Sequence, residues 1–134
     1  MQKKSCLVKD YMAKTLTTFR PDTDVLDAVH ELVTHRIAGA PVVDSDGNLI
    51  GVLSELDCMQ VALNAGYHGN WGGPVSEFMS DDVQTVDAEM NIIDLAQVFV
   101  NSKFRRFPVM DGNRLMGQIS RRDVLRALQE LAKS

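Results

Sequence analysis

Two stretches of the sequence decide the fold: Gly51-Val52-Leu53-Ser54-Glu55-Leu56-Asp57 and Gly117-Gln118-Ile119-Ser120-Arg121-Arg122-Asp123. Each stretch runs from a glycine within an apolar segment into a Ser-x-x-Asp sequence. A serine followed three residues later by an acid is typical of a capping box, in which both side chains satisfy backbone donors at the start of a helix. The sequence therefore predicts, twice, a strand that leads directly into a helix.

Outward from these stretches, the whole chain is an internal repeat. Val8-Lys9-Asp10-Tyr11-Met12 matches Val75-Ser76-Glu77-Phe78-Met79 at an offset of 67. One residue is then lost in a turn, so that the Ser-x-x-Asp sequences match at an offset of 66. The predicted divisions are copy one at residues 7–66, a glycine-rich connector at 67–74 and copy two at 75–130, together forming one integrated module.

Both copies predict the order strand, helix, strand, strand, helix. A short strand, around residues 16–19 or 83–86, leads into a helix with one apolar stripe. The predicted stripe members are Val25, Ala28, Val29, Leu32 and Val33 in copy one, and Ile92, Leu95, Ala96, Phe99 and Val100 in copy two. The predicted N-caps of these helices are Thr23 or Asp24 in copy one and Asn91 in copy two.

A hairpin and a closing helix complete each copy. A Pro-Val strand ends at a turn containing aspartate and glycine, and the next strand pairs back with it. Because three strands with one apolar face cannot stand alone, the predicted fold class is α+β, with duplicated β-α-β-β-α units that pack sheet against sheet or share helices. The closing-helix side chains predicted to face inward are Leu56, Met59 and Leu63, and Val124, Leu125 and Leu128.

Composition and charge exclude several classes of protein. With 45% hydrophobic and 24% charged residues among 134, the sequence is typical of a globular protein and not of a disordered one. A formal net charge of −4 gives no general attraction to nucleic acid or anionic membranes, and no apolar run is long enough for a membrane span. The N-terminus has no apolar run typical of a signal peptide, and Cys6 and Cys58 fit no metal or redox spacing, so we expect a reducing, cytoplasmic location.

The Ser-x-x-Asp sequences also suit a binding function. The N-terminus of a helix exposes N–H groups that attract an anionic phosphate. A carboxylate one turn inside can accept hydrogen bonds from both hydroxyls of a ribose. Ser54 with Asp57, and Ser120 with Asp123, are therefore candidates to hold a sugar and a phosphate together, and a plain capping box is the alternative for each pair.

Over about residues 7–130 these features resemble the CBS motif, present twice as in a CBS pair. The resemblance depends on the β-α-β-β-α order, the hydrophobic-Pro-Val-x-Asp strand and the Gly-x-x-Ser-x-x-Asp helix entry. It implies motifs packed through their sheets around a pseudo-twofold axis, with two clefts that commonly bind AMP, ADP, ATP or other adenosyl compounds. The ligand contacts that it implies are Asp57 and Asp123 for ribose, Ser54 and Ser120 for phosphate and, more weakly, Thr18, Pro41, Val52, Thr85, Pro108 and Gln118 for the cleft lining.

Basic residues are distributed unevenly between the copies. After Arg36 the next lysine or arginine is Lys103, and seven of the fourteen fall between Lys103 and Arg126. By resemblance to nucleotide-binding CBS pairs, such as the gamma subunits of AMP-activated kinase, the basic residues before the Pro-Val of one copy hold phosphates in the cleft of the other. A solvated basic face is the alternative. The predicted phosphate ligands in the Ser54/Asp57 cleft are Lys103, Arg105 and Arg106. In the Ser120/Asp123 cleft the predicted ligand is Arg36, aided by Arg121 or Arg122. The two clefts are therefore predicted to be unequal in positive charge.

Other motifs support neither catalysis nor a metal site. His30 and His35 are five residues apart, so on a helix they point ~140° apart and cannot share a zinc ion. Asp44-Ser45-Asp46-Gly47 has its glycine at the fourth position and not at the sixth position of a calcium loop, which predicts a turn. Without a nucleophile–base set or a glycine-rich nucleotide loop, we predict no enzyme, no catalytic residue, no metal and no cofactor.

The predicted function is a regulatory module that senses an adenosine-containing ligand such as AMP, ADP or ATP. We expect it to form a homodimer through helix faces and to change its affinity for an unidentified partner protein, with no nucleic-acid or membrane partner. The alternative is a dimerisation or scaffold module with vestigial clefts. A third alternative is a cation sensor, because residues 8–60 carry nine acidic and four basic residues. The connector residues Tyr67, His68 and Trp71 are expected to form either a loop or part of a surface that binds a partner.

Overall fold

The computed structural model describes residues 5–14 and 16–133, which form two compact units of mixed α/β structure. The continuous unit is Thr17–Val83. The split unit joins the described residues up to Leu16 to those from Gln84 onward. Each unit has its own cluster of buried apolar side chains. The predicted fold class, a duplicated mixed α/β unit, is confirmed.

The continuous unit contains a two-stranded sheet and two α-helices. Its elements are α1 (Val25–His35), β1 (Gly39–Val43), β2 (Leu49–Ser54), α2 (Glu55–His68) and a 3-10 helix (Val75–Glu77). β1 and β2 are antiparallel, with Pro41 opposite Val52. The predicted strand at residues 16–19 is reduced to one parallel bridge, in which the Phe19 N–H donates to the Pro41 carbonyl at 2.9 Å and the Phe19 carbonyl accepts from the Val43 N–H at 2.8 Å.

The split unit contains a three-stranded sheet and two α-helices. Its elements are a 3-10 helix (Val8–Asp10), β3 (Val86–Asp87), α3 (Ile92–Val100), β4 (Arg106–Asp111), β5 (Arg114–Ser120) and α4 (Arg121–Ala132). The strand order is β3-β4-β5, with β3 parallel to β4 and β4 antiparallel to β5. The strand predicted at residues 83–86 begins only at Val86 and ends at Asp87. In the described part of the chain, no helix is long and apolar enough to cross a membrane.

The segment at the start of each copy packs in the unit that holds the other copy. Val8 and Tyr11, from the start of copy one, are buried in the core of the split unit. Val75, from the start of copy two, is buried in the core of the continuous unit, where Phe78 packs against it. The boundaries of the compact units therefore differ from those of the sequence repeat.

Each of these segments also hydrogen-bonds to the outer strand of its unit. The Ala13 and Gln118 backbones exchange hydrogen bonds at 2.9 and 3.0 Å, and the Ser80 and Val52 backbones do so at 2.9 Å in both directions. The close approach requires glycine beside Gln118, because a Cβ at Gly117 would lie 2.5 Å from the Ala13 carbonyl oxygen. The segments thus cover strand edges that would otherwise be open to pairing.

The first helix of each copy begins at a predicted N-cap. The Asp24 side chain accepts a hydrogen bond from the Leu26 N–H at 2.9 Å, and the Asn91 side chain accepts one from the Ile93 N–H at 2.7 Å. Thr23 is not the cap, since its hydroxyl oxygen accepts from a backbone N–H in the preceding turn. The Asp24 and Asn91 predictions are confirmed.

The apolar stripes of α1 and α3 are buried over most of their length. The buried members are Val25, Ala28 and Leu32 in α1, and Ile92, Leu95 and Phe99 in α3. Val29 and Ala96 are half-buried. The prediction was wrong for Val33 and Val100, which are 71% and 80% exposed, because each lies at the edge of its stripe in the last turn of its helix.

The inward face predicted for the closing helix α2 was wrong. Its predicted inward residues are all exposed, with Leu56 at 73%, and its buried residues are Val61 and Ala65. With Cys58, these small side chains form the stripe that packs on the core, on the opposite face of the helix. The exposed members of the predicted α2 face are Leu56, Met59 and Leu63.

In the other closing helix, α4, the predicted inward face was right in part. Val124 is buried as predicted, and Leu128 is half-buried and packs against the core. Leu125 is exposed, so its prediction was wrong; Ala127 occupies the buried face instead. Apolar residues on both sides of a helix make the buried face ambiguous from the sequence.

Candidate functional site

The Ser-x-x-Asp sequence at the start of α2 forms a complete capping box. The Asp57 N–H donates to Ser54 Oγ at 3.1 Å, and Asp57 Oδ2 accepts from the Ser54 N–H at 2.8 Å. Both side chains are half-buried. Asp57 Oδ2 is thus used within the capping box. The other carboxylate oxygen, Asp57 Oδ1, has no hydrogen-bond partner among the described residues.

The N-terminus of α2 offers fewer free donors than the sequence alone suggests. The Glu55 N–H donates to the Ala38 carbonyl at 2.9 Å, and the Asp57 N–H is taken by Ser54. Within the described chain, the Leu56 N–H remains without an acceptor. One backbone donor and one carboxylate oxygen are therefore available together at this helix start.

The start of α4 repeats this geometry. The Ser120 N–H donates to Asp123 Oδ2 at 2.9 Å, the Asp123 N–H donates to Ser120 Oγ at 3.2 Å, and the Arg121 N–H donates to the Arg105 carbonyl at 3.1 Å. The second carboxylate oxygen differs, because Asp123 Oδ1 lies 3.3 Å from Nη1 of Arg126. Sequence reasoning missed Arg126, although its position three residues after Asp123 is the spacing of a helical ion pair.

The predicted lining residues of copy one lie on, or next to a bridge with, the hairpin that leads into α2. Pro41 is buried in β1, directly opposite the half-buried Val52 in β2, and β2 ends at Ser54. Thr18 is exposed and precedes Phe19, which bridges to the Pro-Val strand. The predicted residues of copy one thus all belong to the continuous unit.

The lining residues predicted in copy two have matching positions. Pro108 is buried in β4, opposite the half-buried Gln118 in β5, and β5 ends at Ser120. Thr85 is exposed and precedes Val86, the first residue of β3. The local arrangement around the two Ser-x-x-Asp sequences is therefore the same in both units.

The three basic residues predicted to bind phosphate lie before and at the start of β4. Lys103 and Arg105 are exposed, and Arg106 is half-buried. The Lys103 ammonium nitrogen is 5.6 Å from the centre of the Phe104 ring, within the range of a cation–π contact. Because these residues belong to the split unit and Asp57 belongs to the continuous unit, the clamp stays a prediction.

Arg36 has a backbone role that the sequence did not indicate. It ends α1 in the left-handed conformation, with φ 55° and ψ 44°, and its N–H donates to the carbonyls of Leu32 and Val33. A residue in this conformation after a helix is most often glycine. Arg36 is exposed, so its guanidinium is accessible to solvent.

The motifs set aside as metal sites have local structural roles. His35 Nε2 lies 3.0 Å from Oε2 of Glu31 on the exposed face of α1. Asp44 Oδ1 accepts from the N–H groups of Asp46 and Asn48, both at 2.9 Å, so the predicted turn is confirmed. The Asn48 backbone hydrogen bond is the main cause that lowers the pKa of Asp44. Among the described residues, no group of three or more histidine, cysteine, aspartate or glutamate side chains is placed to hold a metal ion.

A family model described as CBS domain matches residues 8–64 and 75–130 of this chain. The chain belongs to the CBS family. Its two matched regions make it a tandem CBS pair, as the resemblance predicted, and CBS pairs are regulatory modules.

Solved and curated CBS proteins are similar to nearly the whole chain. The crystal structure of CBSX2 in complex with AMP is 31% identical, with a TM-score of 0.83, and the alignment covers 96% of this chain and 99% of that one. MJ1426 of Methanocaldococcus jannaschii is 30% identical, over 91% of this chain and 90% of its own length. The chloroplastic CBSX1 of Arabidopsis thaliana is 28% identical over 95% of this chain, which spans 66% of the length of CBSX1.

Proposed function

We propose that this CBS pair is a regulatory module, and not an enzyme, that binds an adenosine-containing ligand of the AMP, ADP or ATP type. The observation that carries the proposal is that two groups at one helix start, the carboxylate oxygen Asp57 Oδ1 and the Leu56 N–H, make no hydrogen bond to any described residue. The AMP complex of CBSX2, a relative at 31% identity, supports the same ligand class.

The chemistry of this helix start suits a nucleoside phosphate. The ribose hydroxyls would donate to Asp57 Oδ1, since an ionised carboxylate is an acceptor with two free lone pairs there. The phosphate would approach the Leu56 N–H and the positive end of the α2 dipole. Adenine would lie against Pro41 and Val52, which face each other in the hairpin that leads to Ser54, and against Thr18, which precedes the bridge of Phe19 to β1.

We further propose that Lys103, Arg105 and Arg106 hold the phosphates of a nucleotide bound at Ser54 and Asp57. Two of these side chains are exposed and the third is half-buried, so each is accessible to an anionic ligand. Copy one offers only Arg36 at the corresponding segment, which supports unequal binding at the two Ser-x-x-Asp sequences. In this proposal Ser120, Asp123, Thr85, Pro108 and Gln118 form the weaker site.

The ribose contact is tested by calorimetric titration of AMP, ADP and ATP against wild type and Asp57→Asn. The amide keeps an acceptor for the Ser54 N–H but loses the charge, so we expect binding to weaken by about 10-fold or more. Asp24→Ala is the matched control, because it removes an N-cap at the other helix of the same unit. It should lower stability by about 1 kcal/mol and leave nucleotide affinity unchanged.

Two results would overturn the ligand proposal. One is the absence of binding by all three nucleotides, and the other is an equal loss of affinity in Asp57→Asn and Asp24→Ala. The clamp is tested separately by changing Lys103, Arg105 and Arg106 to glutamine. Affinity should then fall more for ATP than for AMP and not at all for adenosine, whereas Arg114→Gln, on the same hairpin, should have little effect.

We propose that the module is a homodimer, and the exposed apolar face of α2 supports this. Leu56, Met59, Leu63 and Tyr67 recur at helical spacing and are all more than half exposed. Contiguous exposed apolar side chains are typical of protein interfaces. The same face favours the second candidate function, a dimerisation or scaffold module that binds no nucleotide.

Sedimentation or light scattering of Met59→Lys with Leu63→Lys tests the dimer. We expect the double variant to be monomeric, while Ala62→Lys, an exposed position on the same helix, leaves the dimer intact. A monomeric wild type would contradict the dimer proposal. A dimer that binds no nucleotide would favour the scaffold function.

Regulation would follow from a difference in ligand affinity between conformations that differ in affinity for a partner protein. Cys6 and Cys58 are both free thiols, which supports a reducing compartment such as the cytoplasm.

A further inference from the structure

The guanidinium of Arg126 makes two contacts that fix its position beside the second Ser-x-x-Asp sequence. Nη1 lies 3.3 Å from Asp123 Oδ1, and Nη2 donates a hydrogen bond to the Tyr11 carbonyl at 2.9 Å. Both partners belong to the split unit, as Arg126 itself does. Two donors of one planar group are thus used at once, which restricts the rotamers of the arginine.

In copy one the position that matches Arg126 holds an uncharged residue. The residue that matches Arg126 at the offset of 66 is Gln60, which is exposed on α2. Within the described residues, the Gln60 side chain makes no hydrogen bond to Asp57. The two capping boxes are otherwise alike to within 0.1 Å, with 2.8 and 3.1 Å in one against 2.9 and 3.2 Å in the other.

We propose that Arg126 is a positioning residue that makes the two sites differ in ribose affinity, by keeping the Asp123 carboxylate paired within the chain. This inference rests on the proposed function, because it concerns which carboxylate accepts the ribose hydroxyls. A diol bound at Asp123 must share Oδ1 with the guanidinium or displace it, whereas a diol bound at Asp57 meets an unengaged oxygen.

The size of the effect follows from burial. The Asp123 side chain is 17% exposed, which limits screening by water, but the Arg126 side chain is 53% exposed, and exposed ion pairs are weak. We therefore expect the arginine to reduce ribose affinity at Asp123 by about 3- to 10-fold, without abolishing it.

The opposite role for Arg126 makes a different prediction. If its guanidinium contacted a bound phosphate, removing it would weaken AMP binding and leave adenosine binding unchanged. If the guanidinium instead stays paired with the Asp123 carboxylate, removing it would strengthen the binding of both AMP and adenosine, even though a positive charge is lost. Adenosine, which has no phosphate, therefore separates the two roles.

The experiment titrates AMP and adenosine calorimetrically into Asp57→Asn, in which the first site is weakened, with and without Arg126→Gln. We expect Arg126→Gln to raise the affinity for both ligands by about 3- to 10-fold, and a further Asp123→Asn substitution to remove the gain. If Arg126 had only a structural role, Arg126→Gln would not raise the affinity for either ligand. Thermal unfolding checks that each variant is folded.

The reciprocal variant keeps the inference testable if Arg126→Gln fails to fold. Gln60→Arg places the same cation three residues after Asp57 and should weaken adenosine binding in the wild-type background. Weaker AMP binding with unchanged adenosine binding in Arg126→Gln would overturn the inference. Unchanged ligand affinities in both Arg126→Gln and Gln60→Arg would overturn it as well. If neither ligand binds wild type or any variant, the proposed function fails, and the inference fails with it.

Discussion

The hydroxyl of Tyr11 donates a hydrogen bond to Oε2 of Glu130 at 3.1 Å, joining two residues that are 119 positions apart in the chain. The same hydroxyl lies 2.9 Å from the Ser5 carbonyl, and the ring is buried in the core of the split unit. Tyr11 therefore contacts α4 through a polar hydrogen bond, and its ring adds apolar packing in the same core. Phe78 holds the matching position in copy two and has no hydroxyl.

Tyr11→Phe should lower the free energy of unfolding by about 0.5–1.5 kcal/mol, because it removes the single O–H donor that these two acceptors share and leaves the ring in place. Urea denaturation measures the loss. Tyr67→Phe is the control, since Tyr67 is 85% exposed, and it should change nothing. An equal effect of both substitutions would contradict the role assigned to the Tyr11 hydroxyl.

The contribution of Tyr11 should also depend on pH. Burial first, and then the hydrogen bond and negative charge of Glu130, raise the pKa of Tyr11. Since the folded state holds the phenolic proton more tightly than the unfolded chain, the stabilisation is complete below about pH 10 and is lost as the pH rises through the higher pKa of the folded state. The stability difference between wild type and Tyr11→Phe should therefore narrow above pH 10, and a constant difference would contradict this.

Gly117→Ala should destabilise the split unit by about 1–3 kcal/mol, because the new methyl group would lie 2.5 Å from the Ala13 carbonyl oxygen and must push that segment away. Gly51→Ala should cost somewhat less, since the nearest backbone atom to its new methyl group, the Ser80 carbonyl oxygen, lies 2.9 Å away and the other close neighbour is the flexible end of Met79. Thermal unfolding gives both values. Gly66→Ala, in α2 with open space around it, is the matched control and should stabilise by about 0.5–1 kcal/mol. Equal changes at Gly117 and Gly66 would show that the close approach does not matter.

Ser54→Ala and Ser120→Ala should each cost about 0.5–2 kcal/mol, since each serine hydroxyl oxygen accepts the N–H of the third residue of its helix. The two losses should be similar, because the two capping boxes have the same geometry. Denaturant titration measures them. Ser45→Ala, in an exposed turn, should stay within about 0.5 kcal/mol of wild type, and a loss there as large as at Ser54 would contradict the capping role.

Arg36→Gly should raise stability by up to about 1 kcal/mol, because glycine adopts the left-handed conformation without the steric cost of a Cβ. Asn101→Gly at the end of α3 is the matched control. Asn101 has φ −96°, so glycine there gains nothing and should destabilise by about 0.5–1 kcal/mol. Stabilisation by both substitutions, measured by thermal unfolding, would contradict the conformational explanation.

Local features of this protein could be predicted from the sequence because their causes lie within a few residues. The duplication, the Asp24 and Asn91 caps, the hairpin turn at Asp44 and both Ser-x-x-Asp capping boxes follow from side chains that bond to nearby backbone. The antiparallel pairing of the two strands on either side of this turn follows from the same hairpin. Each of these needs only short-range geometry.

Other features depended on which surface each element meets, and only the tertiary structure decided them. Hydrophobicity indicates that Val8 and Val75 are buried, but nothing local shows that each packs in the unit of the other copy. In α2 both faces are apolar, and the small residues Val61 and Ala65, not Leu63, lie against the core because they allow the helix to approach closely.

The difference between the two carboxylates has the same origin, unlike the unequal distribution of basic residues, which the sequence shows directly. The Ser-x-x-Asp sequences alone predict two equivalent carboxylates, at Asp57 and Asp123, and both aspartates take the same part in a capping box. The pairing of Asp123 with Arg126 is stabilised by the Tyr11 carbonyl, which chain folding brings from 115 residues away. A sequence pattern identifies an acceptor, and the folded backbone around it decides whether that acceptor is already used.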